Sequence, residues 1–241
     1  GTQAPCVLIY SQLLPGITNV TDRARYYSFY PWLIWSFDQR YAKDDEARFV
    51  EFFRRADCLF TLLSERHARK TDRDNERHGV AMVGRVQLTQ ALDRLEAGEY
   101  LNLSQYTSQE SPLRYFKNPM GGLSQYYAGT LSDLKLMDAS AKPWIKYTKE
   151  LGAPLAEQVD SNIQADRFWK VVESGTATCD DLDALSELCA CQLSHSVGEC
   201  KTLVDLYFDR NDSYEQEGVQ RRRSLGLILN LTRSLPDGHD L

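Results

Sequence analysis

The sequence predicts a mainly α-helical protein: a helical N-terminal hub, a central winged-helix-like unit with a small β-hairpin, and C-terminal helices. Three observations carry this. Apolar residues recur at helical spacing in 44–63, 80–98, 121–134 and much of 161–231. Two short strand-like runs, "LKLMD" and "WIKYT", flank a turn-like "ASAKP". And one segment from Thr21, "TDRARYYSFYPWLIWSFDQRY", gathers aromatics, arginines and a proline into a few turns of chain.

In order along the chain, "CVLIYSQLLPGITNVT" reads as a short apolar strand or a turn of helix, ended by a Pro15-Gly16 turn. Thr21 or Asp22 is placed to cap the aromatic helix. Pro31 lies inside that pattern, so a break or kink is expected there, with Tyr30 pushed toward an extended conformation. A clearer helix follows from Asp44. Its first turn is acidic, as the helix dipole favours, and Phe49, Phe52, Phe53, Ala56, Leu59, Phe60 and Leu63 form its inner face against Arg48, Glu51 and Arg55. The charged "RHARKTDRDNERHG" should end it in an exposed loop.

The middle segment reads as a helix over 80–98 ending at Gly98, then a short helix "SPLRYFKN" with Ser111 as N-cap and Pro112 at its first position. A third helix in "GGLSQYYAGTLSDLKLM" puts Leu123, Tyr127, Leu131 and Leu134 on one side, and the hairpin follows it. Three helices and a hairpin is the winged-helix order, a variant of the helix-turn-helix. The helix "ELGAPLAEQVD" closes the unit. From Ser161 come "SNIQADRFWKVVESG" with a Gly cap, "TCDDLDALSELCAC" with an acidic first turn, "GECKTLVDLYFD" and the amphipathic "GVQRRRSLGLILNL". The expected division is 1–78, 79–160 and 161–241.

Bulk properties narrow the function class. With 42% hydrophobic and 26% charged residues, the 241-residue chain has the composition of a folded protein. No apolar run approaches the roughly 20 residues a membrane helix needs, and no signal peptide is visible. The first residue is not Met, which leaves a processed or truncated N-terminus open; the C-terminal region is open to truncation too. Six cysteines are too few for a disulfide scaffold, so a reducing cytoplasm is expected.

The net charge of −6 is unevenly spread. Residues 1–149 hold 20 Lys/Arg against 17 Asp/Glu, residues 150–219 hold 4 against 15, and the remainder holds 4 against 2. Nucleic acid, if bound, should therefore meet the first part. The favoured reading of the acidic part is a set of solvated helix faces.

The residues "LLPGITNVTDRARYYSFYPWLIW", "GGLSQYYAGTLSDLKLM" and "RRRSLGLILNL" resemble a family of uncharacterised bacterial proteins. It shares a Pro-Gly followed by an Arg-x-Arg-Tyr-Tyr/Phe-x-Phe-x-Pro-Trp segment and a Gly-x-x-Gln-Tyr-Tyr helix. The resemblance covers most of the chain and implies an accessory component of mobile or anti-phage gene clusters. It implies no catalytic residue.

The aromatic segment has two readings. In one, Tyr27, Phe29, Tyr30, Trp32, Leu33, Trp35 and Phe37 anchor a core and their polar tips reach acceptors. In the other, Arg23, Arg25, Tyr26 and Tyr27 form a surface that stacks bases and holds phosphates. The hub is favoured, because consecutive aromatics more often fill interiors. Arg23 and Arg25 could still line an exposed rim.

Four motifs bear on chemistry. "RDNERH" sets Arg73 five positions before His78 and resembles the Arg-x4-His pattern of HEPN-type ribonucleases, in which His and Arg act without metal on the ribose hydroxyl and the phosphate. Cys179, Cys189, Cys191, His195 and Cys200 offer ligands for zinc. Against this, a regular helix turns positions i and i+2 to opposite sides, and cysteines among leucines pack as small hydrophobes. "RRR" at Arg221–Arg223 could meet phosphate, although offsetting the acidic helices is the favoured role. Glu199 and Lys201, with Asp183, imitate part of a metal-dependent nuclease, but that site needs a strand and this segment is helical. Phosphate-binding glycine loops, dinucleotide fingerprints, metalloprotease His pairs and nucleophile elbows are absent from the sequence.

The expectation is a non-catalytic binding subunit of a multi-protein system, with no cofactor and no membrane contact. Its winged-helix-like unit would meet a protein partner or DNA. The candidate contact residues are Arg23, Arg25, Tyr26, Arg114, Lys117, Ser124, Gln125, Lys135 and Lys146, with Lys142 and Lys149 nearby. Protein is favoured over DNA because the third helix exposes no net charge. The enzyme alternative is the HEPN-like ribonuclease of Arg73 and His78; a structural partner of an ATPase complex is a third.

Overall fold

The computed structural model describes residues 3–41, 45–71, 82–98 and 100–235. The protein is mainly helical, with two small two-stranded sheets among the described residues. The first helices are α1 (Gln3–Leu13), α2 (Tyr26–Arg40), α3 (Glu46–Thr71) and α4 (Arg85–Glu96). Strand β1 (Leu101–Asn102) and the single turn α5 (Ser104–Thr107) follow. A π-turn over Leu123–Tyr127 leads into α6 (Ala128–Asp133), and β2 (Met137–Asp138) pairs antiparallel with β3 (Lys146–Tyr147). The remaining elements are α7 (Gly152–Ser161), α8 (Ala165–Ser174), β4 (Thr176–Ala177), α9 (Cys179–Ala184), α10 (Val197–Tyr207) and α11 (Glu215–Ser234).

Helix α2 is the hub. Twelve of its 15 residues are buried, on every side of the helix, which is the pattern of a helix enclosed by others. Phe29 stacks on Phe60 of α3 at 4.1 Å between ring centres, and Tyr26 meets Phe60 edge-on. The polar tips find partners: Trp32 Nε1 donates to Asp160 of α7 at 2.9 Å, and Trp169 Nε1 of α8 donates to Ser36 at 2.8 Å. Such contacts orient these two rings and satisfy their indole N–H groups.

The helix does not break at Pro31. It runs through that residue, and Tyr30 is helical. Proline in a helix interior costs about 3 kcal/mol, and burial of the aromatics on both sides outweighs it. The helix also starts later than a cap at Thr21 or Asp22 would give. Thr21 closes the preceding turn instead, through its hydroxyl and Thr18, and takes the Tyr27 hydroxyl.

Helix α3 runs to Thr71, into the first residues of the expected charged loop, whose remainder lies outside the described residues. Of its predicted inner face Phe49, Phe53, Ala56, Leu59, Phe60 and Leu63 are buried and Phe52 is half-buried. Leu123, Tyr127, Leu131 and Leu134 are all buried on one side of the third central helix. The expected helix over 111–118 does not form. Residues 112–118 are turns and loop, and only α5 stands before them. The ladder is interrupted at Tyr115, whose N–H donates to Tyr106 O at 2.8 Å where a helix would send it to Ser111 O. The buried guanidinium of Arg54 holds the loop in this path by donating to the carbonyls of Thr107, Phe116 (3.0 Å), Asn118 (2.7 Å) and Pro119 (3.2 Å). The hairpin forms in the expected place but lies against α2, with Lys146 paired to Asp38.

Among the described residues one hydrophobic core runs from Tyr26 to Tyr214 and draws side chains from all three of the expected segments. Part of the uneven charge is matched by ion pairs between the basic and acidic segments. Arg40 pairs with Asp166, Arg66 and Lys70 with Asp183, and Arg25 with Glu199. Arg221 of the "RRR" run is buried and donates to Pro15 O, Leu206 O and Tyr207 O at 2.8–3.1 Å, tying α10, α11 and the Pro15 turn together. Arg222 reaches Asp209 O and Asp212.

Candidate functional site

Three features stand out. The first is an open cleft of about 850 Å³ between the start of α4, the 112–118 loop and the π-turn. Arg85, Arg114 and Lys117 line it with Gln125, Phe116 and Tyr126, and no carboxylate is among the lining residues. Arg85 is held from below by Glu65, and Phe116 meets Tyr126 edge-on at 5.9 Å. The π-turn presents Ser124, Gln125 and Tyr126 to solvent in succession; such turns occur frequently at functional sites. The loop across from it is fixed by Arg54 and by Asp57.

Asp57 is fully buried and accepts from Tyr115 Oη at 2.8 Å, Tyr30 Oη at 3.0 Å and Gly122 N at 3.4 Å. Burial pushes its carboxyl up to about 6, against the downward pull of those hydrogen bonds. Gly121 passes directly over this carboxylate with φ +52°, where a Cβ would strike Asp57 and the Tyr115 hydroxyl.

The second feature is an apolar face made by α1 and α11, which pack on one another. Leu8, Ile9 and Leu13 of α1 and Leu227, Ile228, Leu229 and Leu231 of α11 are each between 40 and 61% exposed. Helix α1 carries no charged residue, and neither does "SLGLILNL" of α11. Between the two helices runs a groove of about 510 Å³ lined by Tyr10, Ile17, Leu225 and Ile228.

The third is a thiol–imidazole cluster. Cys189 Sγ lies 3.5 Å from Cys191 Sγ, which lies 3.3 Å from His67 Nδ1 near the end of α3. The objection that a helix turns positions i and i+2 apart does not apply. The chain there is two short 3₁₀ turns, Ser186–Leu188 and Ala190–His195, and Cys189 between them is extended with ψ 141°.

These placements sort the candidate contact residues. Arg114, Lys117 and Gln125 come together in the cleft, with Ser124 beside Gln125 on the π-turn. Arg25 and Tyr26 do not reach a surface: both are buried, as hub packing requires. Arg25 pairs with Glu199 at 3.0 Å and donates to Glu187 O and Cys189 O, and burial holds it below its ordinary pKa although Glu199 pulls the other way. Arg23 is half-buried and outside the cleft lining. Lys146 is spent on Asp38, at 2.6 and 2.8 Å, over the Trp144 ring. Lys135 donates to Ser213 O at 2.8 Å. Arg73 and His78 lie outside the described residues.

The five-ligand zinc set does not converge. Cys179 points its thiol at Leu95 O, His195 bonds Gln192, and Cys200 is half-buried on α10. Glu199, of the nuclease-like pattern, is fully buried on Arg25 and Ser28. His67 was absent from the sequence-based candidates, because nothing local links it to cysteines more than a hundred positions away. Arg54 and Asp57 were also missed, although charged residues beside the Phe49–Phe53–Phe60 stripe of an amphipathic helix are themselves a signal of a buried polar device.

No protein-family model matches this chain, and no curated protein or solved structure matches it either. Among the described residues, no helix is long and apolar enough to cross a membrane.

Proposed function

We propose that this chain is a non-catalytic binding subunit that docks to a protein partner in the cytoplasm through its α1/α11 face. The observation that carries the reading is the run of uncharged, half-exposed leucines and isoleucines on two adjoining helices. Contiguous apolar surface of this kind marks protein interaction sites. The complementary partner presents an apolar helical surface with carboxylates opposite Arg223 and Arg233, which flank the leucines.

A photo-crosslinking amino acid at position 229, compared with one at position 124, tests this in cells. The expected result is a discrete protein adduct from position 229 that disappears with Leu8→Asp. Self-adducts alone, or adducts from position 124 only, refute it.

A second reading rests on the cleft. Arg85, Arg114 and Lys117 beside Phe116 and Tyr126 suit a single-stranded nucleic acid, with cations for phosphates and rings for bases. Anisotropy of labelled DNA and RNA should then show affinity that falls steeply with salt and weakens in Lys117→Glu. Gels of the same RNA samples, with His78→Ala as control, test the ribonuclease alternative of Arg73 and His78.

A further inference from the structure

We infer that His67, Cys189 and Cys191 form a zinc-binding site that staples α3 to the segment ahead of α10. This inference is independent of the docking surface.

The geometry supports it. One ligand atom from each residue lies within 4.8 Å of the others, and this is the only such group among the described residues. Zinc holds sulfur at about 2.3 Å and imidazole nitrogen at about 2.0–2.1 Å, so tetrahedral coordination sets S···S near 3.8 Å and S···N near 3.5 Å. The separations of 3.5 Å between sulfurs and 3.3 Å from Cys191 Sγ to His67 Nδ1 need adjust by only a few tenths of an ångström.

The donor set also selects the ion. Two thiolates and a neutral imidazole cancel the charge of a divalent cation, so the assembly enters a largely buried place as a neutral unit. The adjacent Arg25–Glu199 pair is self-compensating, so it neither adds to nor subtracts from that balance. Sulfur and imidazole donors favour zinc over the harder magnesium or calcium. Binding displaces the thiol protons, and no oxidant or reductant is required.

The surroundings are built to hold the ligands. Arg25 fixes the carbonyl of Cys189 at 3.1 Å and that of Glu187 at 2.8 Å, and Ser64 of α3 takes the N–H of Ala190 at 3.4 Å. The Gln192 amide stands 3.4 Å from both His67 Nε2 and Cys191 Sγ. Polar groups in that position orient ligating rings. Three donors leave a coordination position for water or another group.

The test is metal content and cobalt spectroscopy on the full chain, purified under reducing conditions. Co²⁺ added to the metal-stripped protein should give thiolate-to-metal charge-transfer absorption and tetrahedral d–d bands saturating at one ion per chain. Zn²⁺ should abolish both. Cys191→Ser and His67→Gln should lose the charge-transfer signal or shift it, while Cys200→Ser keeps it. Chelation should lower the melting temperature of the wild type and leave that of Cys191→Ser unchanged. A reduced wild type without the cobalt spectrum overturns the inference whether or not the variants fold. So does equal zinc content in wild type and Cys191→Ser, or a Cys189–Cys191 disulfide in protein that binds no metal once reduced.

Discussion

The buried ion pair at the hub allows a worked prediction. Arg25 and Glu199 are both fully enclosed; Arg25 donates to Glu199 Oε2 at 3.0 Å and to two backbone carbonyls, and Ser28 donates to Glu199 Oε1. Arg25→Met leaves a buried carboxylate with one hydroxyl donor, which costs about 3–5 kcal/mol. It also strips a donor from Glu187 O and Cys189 O, at about 1–3 kcal/mol each if they stay dry. Glu199→Leu leaves the guanidinium with its carbonyls but without its counter-charge, again about 3–5 kcal/mol. The double variant removes both charges and retains only the carbonyl penalty. Its cost should fall below the sum of the single costs by at least about 2 kcal/mol. Urea denaturation followed by far-UV circular dichroism and tryptophan fluorescence measures the cycle. If Arg25→Met does not fold, Arg25→Lys with Glu199→Gln gives a milder version. Additivity within about 0.5 kcal/mol would refute the argument that these charges depend on each other.

Three further outcomes follow from the support beneath the cleft. Asp57 holds its proton more tightly in the folded state, at about 6 against an ordinary value of about 3.9. Its contribution is therefore full below about pH 4 and is lost as pH rises through about 6, a change of about 3 kcal/mol. Relative to the wild type, Asp57→Asn should remove that decline, and parallel stability–pH curves between pH 4 and 7 would contradict it. Arg54→Ala releases the carbonyls of Thr107, Phe116, Asn118 and Pro119, so hydrogen exchange over 106–120 should accelerate while α8 stays protected; unchanged exchange would show that the loop does not depend on Arg54. Gly121→Ala should cost about 2 kcal/mol or more, because φ +52° and Asp57 leave no place for a methyl group. Gly129→Ala, exposed on α6 with open space around it, should instead be neutral or gain about 0.5–1 kcal/mol, and the pair can be compared by thermal melts.

Particular elements show which features were legible in the sequence. The stripe of Phe49, Phe53, Ala56, Phe60 and Leu63 announces α3 because its 3.6-residue period is local. Leu123, Tyr127, Leu131 and Leu134 do the same for the third central helix. The aromatic hub and the hairpin at 134–148 were legible for similar reasons. The pairing of β1 with β4 was not, since Leu101 and Ala177 meet across 76 positions and each strand is two residues long. The site was legible only in fragments: Arg114, Lys117 and Gln125 could be named, but Arg85 and Tyr126 join them only when the chain folds back.

The sequence by itself determined the helical class, the identity of the hub and the uncharged character of α1 and of the leucines in α11, because burial and periodicity are written into neighbouring residues. The tertiary structure decided the rest. It kept α2 intact through Pro31, unwound 112–118 around Arg54, buried Arg25 and Tyr26, and set His67 against Cys189 and Cys191. Each outcome turns on a partner far away in the chain, and a buried charge or an unpaired carbonyl takes whatever conformation satisfies it, whatever the local propensity favours.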